Sequence, residues 1–314
     1  MLLGKIIKNI NPAYKSIKFN NIRFNSKNCK PNDIFFAIKG NNSNGNYFIK
    51  KAIRNGSKII ISNLNFEGFN KEKILFIKSK NPRKTLAEAA SNFYIKKPKN
   101  IIAITGTNGK TSIANFFYQI LSLNKKKVAT IGTLGVLSKR IKFKTSNTTI
   151  DSIKIHQILQ KLKNLKIDNV IVEASSHGLK QYRLDEINFK TALFTNLTRD
   201  HLDYHKTFKD YLSSKLILFD RLLVNKGNII FENGIPQEKE LKKISKKKKL
   251  KVHKIGSENS FINLKKIQKI NDKKRINFSL LKKDYSFNSY LIGSIQIKNL
   301  LFAILVAYLS GIKI

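Results

Sequence analysis

The chain has 314 residues, 41% of them apolar, and 61 lysines and arginines against 19 acidic residues leave a formal charge of +42. That apolar fraction excludes a disordered chain, and the length provides for about two domains with cores of their own. Cys29 is the only cysteine, which excludes internal disulfides and cysteine-built metal clusters and fits a reducing cytoplasm.

Taken in chain order, Met1-Leu2-Leu3-Gly4-Lys5 is broken by lysine before an apolar core of signal length forms, so no export signal is expected. A short strand (Ile34 to Ile38), a Gly/Asn-rich turn (Gly40 to Asn46), a helix-like segment, a second strand (Ile59 to Ile61) and a third apolar run (Ile74 to Ile77) follow. Pro82 and an amphipathic stretch from Thr85 to Tyr94 close a small α/β domain near Lys96-Lys97-Pro98. Beyond it, strands at 101–104, 128–131, 170–172 and 192–194 alternate with helices at 112–122, 153–162 and 207–219. Unbroken apolar strands between helices predict a mostly parallel, doubly wound sheet, with ligands at the carboxyl ends of its strands. Further short strands are expected at 229–231, 276–280 and 289–292, and a closing helix from about Lys298 to Leu309. The run Leu300 to Leu309 is too short to cross a bilayer, so a buried helix rather than membrane insertion is expected.

The charge has no evident target. Lysines are spread along the whole chain beside many asparagines and isoleucines, and the densest run, Lys246 to Lys249, lies in a polar stretch from Gln237 to Lys251 that reads as a solvated loop or helix face. With no recognisable RNA or DNA module beside it, nucleic acid is not the expected partner.

The strand Ile101 to Ile104 runs into Gly106-Thr107-Asn108-Gly109-Lys110-Thr111 and then into a helix. In such a turn, backbone N–H groups and the positive end of the helix cradle phosphate oxygens, the lysine reaches the terminal phosphates, and Thr111 can hold Mg²⁺. The common spacing would put glycine at Ile104, so this is a shortened variant. The strand Val170 to Val172 leads into Glu173, Ser175, Ser176 and His177, and Ala192 to Phe194 into a polar cluster from Thr195 to His205. Glu173 and His201 are candidate Mg²⁺ ligands beside a bound triphosphate. Lys215 lies on the apolar stripe of the helix that follows, with Phe208, Tyr211, Leu212, Leu216 and Phe219. Either it snorkels outward, or partial burial depresses its pKa and leaves a neutral amine able to react, for example with carbon dioxide to give a carbamate.

These residues resemble the Mur ligases, most closely the MurE type that adds the third residue of the peptidoglycan stem peptide. The resemblance rests on Thr105 to Thr111, on EASSHGLKQYR from Glu173 to Arg183, and on TNLTRDHLDYH from Thr195 to His205. The segments PNDIFFAIKGNNSNGNYFI, NPRKTLAEAASNFY and LIGSIQIKNLLFAILVAYLSGI extend it over nearly the whole chain. It implies that ATP phosphorylates the free D-glutamyl carboxylate of UDP-MurNAc-L-Ala-D-Glu, and that the amine of a diamino acid, meso-diaminopimelate by family frequency, then attacks the acyl phosphate.

By the same resemblance, Lys110 and the loop from Gly106 to Thr111 hold the phosphates, Asn299 touches adenine, and Thr111, Glu173 and His201 serve the magnesium ions. Lys110, His201 and a carbamylated Lys215 are then the catalytic candidates. Asn147, Thr148, Thr149, Ser175, Gln181 and Arg183 match positions that hold the muramoyl dipeptide, and Ser26 one on the uridine side. From its residues alone, Asn147-Thr148-Thr149 also reads as a helix cap before Ile153. The chain departs from the family pattern at Asn25-Ser26-Lys27 (usually Asp-Ser-Arg), Asn44-Gly45 (Asp-Gly), Ile150 (proline) and Ile295-Gln296 (Phe-Asn). These departures bear on the uracil and adenine contacts, not on the reaction class.

The resemblance therefore divides the chain into a UDP-substrate domain (1–97) and an ATP-binding domain (98–314) of a cytoplasmic, monomeric enzyme. The family's third domain, which takes the incoming amino acid through an Asp-Asn-Pro-Arg segment, is expected to be absent and the chain truncated. The alternatives are a folylpolyglutamate synthase-like ligase, a noncatalytic nucleotide-binding protein and, less favoured, a basic nucleic-acid-binding protein.

Overall fold

The computed structural model describes residues 1–40, 43–145, 147–198, 200, 204–256 and 260–313. They form two compact units. The first comprises Met1–Lys97 together with Asp151–Lys161 and Gln181–Ile187; the second comprises Pro98–Ile150, Leu162–Lys180 and Asn188–Ile314. A division at residue 97 thus leaves out two later segments that belong with the N-terminal unit.

The first unit is built on β1 (Ile22–Arg23), β2 (Ile34–Phe36), β3 (Ile59–Ser62), β4 (Gly68–Phe69) and β5 (Leu75–Lys78), in the order β1-β2-β3-β5-β4. All neighbours are parallel except β4, which runs against β5. Every residue of β2 and β3 is buried, which accounts for their unbroken apolar sequence. Helices α1 (Ile49–Arg54) and α2 (Pro82–Phe93) follow β2 and β5. The start of α2 is set by Asn81, whose side chain accepts the Lys84 N–H, and by Pro82 at the first helical position. Its Leu86, Ala89 and Ala90 enter a core with Leu3, Ile6, Ile22, Ile34, Phe36 and Ile59.

The second unit carries one sheet built on β6 (Asn100–Thr105), β7 (Val128–Gly132), β8 (Gly135–Ser138), β9 (Lys142–Phe143), β10 (Asn169–Glu173), β11 (Phe189–Phe194), β12 (Leu223–Glu232), β13 (Lys251–Gly256), β14 (Ile262–Ile270), β15 (Lys273–Leu280) and β16 (Lys283–Ser289). The order is β16-β15-β14-β13-β12-β11-β6-β10-β7-β8-β9. It is parallel from β14 to β7 and antiparallel at both ends. Because β6 lies between β10 and β11, the chain winds outward in opposite directions from it. The carboxyl end of β6 is therefore a topological switch point, where open α/β sheets bind ligands.

The helices are α3 (Lys110–Leu123), α4 (Ser152–Asn164, whose first ten residues belong to the first unit), α5 (Ser176–Lys180), α6 (Phe208–Ile217), α7 (Glu238–Lys248) and α8 (Ser294–Leu309). Ile113, Phe117 and Leu121 of α3 and Leu301, Phe302, Leu305 and Val306 of α8 share a core with Ile102, Ile104, Ile171 and Leu193 of the sheet. Ile171→Val removes one methylene from this fully buried position and is expected to destabilise the chain by about 1 kcal/mol in urea unfolding, with an unchanged m-value.

Two details differ from the sequence reading. The strand expected at 289–292 is β16, which ends at Ser289; Leu291 and Ile292 are irregular, and Ile292 is 88% exposed. The sequence INLKKIQKI, which lacks a clean alternation, forms β14 by pairing with β15. The lysine-rich stretch, expected as a solvated loop or helix face, is helix α7, anchored by the buried Leu241 and Ser245. Among the described residues, no helix is long and apolar enough to cross a membrane.

Candidate active site

The glycine-rich loop leaves β6 at the switch point, and two of its glycines are required by space as well as by dihedral angle. Gly106 has φ +146°, and a Cβ there would lie 1.9 Å from Thr195 Oγ1; Gly109 has φ +87°, and a Cβ there would lie 2.7 Å from Asn299 Oδ1. Segment 195–198 holds the loop by its backbone. Thr107 N donates to Asn196 O (3.0 Å), Asn108 N donates to Asn196 Oδ1 (2.9 Å), and Thr195 Oγ1 donates to Asn108 O (2.6 Å).

Two lysines converge on one carbonyl oxygen. Lys110 Nζ donates to Gly106 O (2.8 Å) and Thr107 O (2.7 Å), and Lys215 Nζ donates to the same Gly106 O at 2.9 Å. Lys215 does not snorkel. It is 2% exposed and lies 4.3 Å from the Tyr211 ring centroid. Burial, followed by the nearby Lys110 charge, lowers its pKa from 10.5 to about 7, so a large share of the amine is neutral at physiological pH. Burial also lowers the Lys110 pKa, against the attraction of Glu173.

Glu173 ends β10 at 2% exposure. Its Oε2 accepts the Thr111 hydroxyl (2.8 Å) and the Thr133 hydroxyl (3.0 Å), and its Oε1 accepts Thr133 N–H (3.1 Å). Gly132 makes room for the carboxylate, since a Cβ there would lie 2.1 Å from Glu173 Oε1. Among the described residues, no group of three or more His, Cys, Asp and Glu side chains is gathered as for a metal. The hard oxygens of Thr111 and Glu173 at a phosphate loop nevertheless fit Mg²⁺, which takes few protein ligands and completes its shell with phosphate and water. The third expected ligand, His201, lies outside the described residues.

A second set of hydroxyls adjoins this one. Thr149 Oγ1 donates to Glu173 O (2.9 Å) and accepts from Ser175 N (2.9 Å) and Ser175 Oγ (3.0 Å). The start of α4 is capped by Asp151, whose Oδ1 accepts Lys154 N–H, so Thr149 is engaged at the end of β10 rather than as a cap. A cleft is lined by Thr107 to Ser112 with Thr133, Thr148 and Ser175. Asn147 belongs to the same segment, its carbonyl accepting from Thr145 Oγ1. Asn299, buried on α8, stands against Gly109 and donates to Gln296 Oε1 at 3.4 Å.

The remaining candidates lie in the first unit. Ser26 is buried in a turn capped by Asn25, and its carbonyl accepts from Asn55 Nδ2 (2.8 Å). Arg183 donates through Nε and Nη2 to Gln181 Oε1, at 3.2 and 2.7 Å.

Sequence reasoning did not single out Thr133 or His205. The latter is fully buried, with Nε2 2.9 Å from Ser176 Oγ and Nδ1 3.3 Å from Asp210 Oδ2, and burial lowers its pKa. The spacing of His205 from His201 was visible in TNLTRDHLDYH; nothing marked Thr133.

Fold and site define an α/β protein with a glycine-rich loop at the sheet's switch point and a buried, depressed-pKa lysine beside it. The chain belongs to the Mur ligase family: the model of the Mur ligase middle domain matches residues 104–307, and that of the Mur ligase family catalytic domain matches 18–94. The UDP-N-acetylmuramoyl-L-alanyl-D-glutamate–2,6-diaminopimelate ligase of Rickettsia montanensis is 37% identical over 310 residues, 96% of this chain and 63% of that protein. The protein of that name from Clostridium tetani is 42% identical over 251 residues, 78% and 51% of the two chains. A solved structure of such a ligase superposes with a TM-score of 0.86 at 22% identity, covering 100% of this chain and 64% of that one. The MurF ligase of Thermotoga maritima in complex with ADP gives 0.60 at 19%, covering 94% and 64%. At these identities the solved structures show the fold. This chain spans a little under two thirds of the first of these relatives.

Proposed function

We propose that the chain provides the nucleotide- and muramoyl-dipeptide-binding parts of an ATP-dependent amide ligase that joins a diamino acid, meso-diaminopimelate by its relatives' names, to UDP-MurNAc-L-Ala-D-Glu. The observation that carries this reading is the convergence of Lys110, Lys215 and the Gly106 carbonyl beside the Thr111–Glu173 pair. The family match at 18–94 supports a uridine-nucleotide substrate over a folate-type one.

In this reading the loop amides and Lys110 hold the β- and γ-phosphates of ATP, and Lys110 exchanges its two loop carbonyls for phosphate oxygens. Thr111, Glu173 and His201 would hold magnesium, which when bound neutralises phosphate charge. The neutral Lys215 amine is suited to take up carbon dioxide as a carbamate, turning a buried base into an anion. Thr148, Thr149 and Ser175 would contact the muramoyl dipeptide. One oxygen of the D-glutamyl carboxylate attacks the γ-phosphorus and ADP leaves; the amine then attacks the acyl carbon, phosphate leaves and the amide forms. Ser26 would face uridine, Gln181 and Arg183 the muramoyl peptide, and Asn299 adenine.

Isothermal titration with UDP-MurNAc-L-Ala-D-Glu is expected to show saturable one-to-one binding that Arg183→Ala weakens more than tenfold. A folded chain that binds neither this compound nor a nonhydrolysable ATP analogue would overturn the reading.

A further inference from the structure

We propose that Thr133 is a positioning residue that fixes the hydrogen-bond polarity of Thr148 and ties it to the Glu173 carboxylate; the proposal rests on the ligase reading above. Gly132 and Gly135 pair across β7 and β8, so the hairpin between them has only two residues, Thr133 and Leu134. A loop that short leaves little backbone freedom, and it directs the Thr133 side chain into the cleft that Thr111, Thr148 and Ser175 also line. Both polar groups of Thr133 face the same carboxylate, its N–H on Oε1 at 3.1 Å and its hydroxyl on Oε2 at 3.0 Å. A residue serving only the turn has no need of that hydroxyl.

The direction of the remaining contact follows. A threonine hydroxyl has one hydrogen, and that of Thr133 is directed at Glu173. In the 3.1 Å contact between Thr133 Oγ1 and Thr148 Oγ1, Thr148 is therefore the donor. That leaves Thr148 only lone pairs to offer the cleft. It is set to accept from an N–H or hydroxyl of the muramoyl dipeptide and is a poor partner for a phosphate or carboxylate oxygen. The chain Thr148 to Thr133 to Glu173 also gives the dipeptide side and the metal side a shared hydroxyl, so disturbing one end is felt at the other.

The test uses the full chain, Thr133→Val and Thr133→Ser, titrated with a nonhydrolysable ATP analogue with and without Mg²⁺ and, separately, with UDP-MurNAc-L-Ala-D-Glu. Valine keeps the shape and the backbone N–H but removes the hydroxyl. It is expected to lower the apparent Mg²⁺ affinity of the nucleotide complex about tenfold while leaving Mg²⁺-free nucleotide binding within about twofold, and to weaken dipeptide binding several-fold; serine restores both. Mg²⁺-dependent binding left unchanged by Thr133→Val, or a serine variant as impaired as the valine one, overturns the proposal alone. Failure of the parent chain to respond to Mg²⁺ or to the dipeptide overturns the ligase reading, and this proposal with it.

Discussion

Lys215→Met is expected to make the chain more stable while it weakens Mg²⁺-nucleotide binding. Lowering a lysine pKa from 10.5 to about 7 corresponds to a cost of about 5 kcal/mol for holding the charged form in the folded state. Methionine is similar in length and carries no charge to desolvate. The hydrogen bond to Gly106 O is lost, at about 1 kcal/mol, but that oxygen keeps Lys110 as a partner and is not orphaned. A net gain of about 4 kcal/mol is expected. Its pH dependence has a definite sign. Because the folded pKa lies below the unfolded one, the cost is complete below pH 7, declines as the pH rises from 7 to 10.5, and is absent above that. The variant's advantage in urea unfolding, measured in carbon-dioxide-free buffer, should follow the same course. An advantage independent of pH would mean that Lys215 keeps an ordinary pKa.

Glu173→Gln is expected to abolish the Mg²⁺ dependence of nucleotide binding, a loss of about a hundredfold in affinity with the metal present, while the fold survives. The amide oxygen can keep the Thr133 N–H, and the amide nitrogen faces the Thr111 and Thr133 hydroxyls, which can turn to accept from it. Geometry is thus nearly preserved and only the negative charge is lost. Titration with and without Mg²⁺ reads this directly; a variant that still responds fully to the metal would remove Glu173 from the set of ligands.

Part of this site was legible in the sequence. A strand that ends in glycines, a lysine and a hydroxyl, and a second strand that ends in Glu173, declare themselves because polar residues at the carboxyl ends of buried strands have few other uses. Lys215 was legible as an anomaly, one charge on an apolar stripe, though only packing decided that it turns inward. Thr133 was hidden because Gly132-Thr133-Leu134-Gly135 has the composition of any tight turn, and only the arrival of Glu173 from β10, forty residues later, gives its hydroxyl a partner. The β14 strand was obscured by Lys265, Lys266 and Lys269, which break the apolar alternation and lie exposed. The sequence marks a helix at 153–162 but not which core receives it; residues 151–161 belong with the first unit.

Segments 151–161 and 181–187 complete the first unit by internal bonds such as His156 Nε2 with Asp185 O, Ser91 Oγ with Glu186 O, and Lys96 N with Gln160 Oε1. A nascent chain that has exposed only its first hundred residues lacks these partners, so the N-terminal unit closes only after the first three parallel strands of the second unit have left the ribosome. The first unit is complete once residue 187 has emerged, while residues 188–314 of the second are still to come, so its closure falls within the translation of the second unit rather than before it.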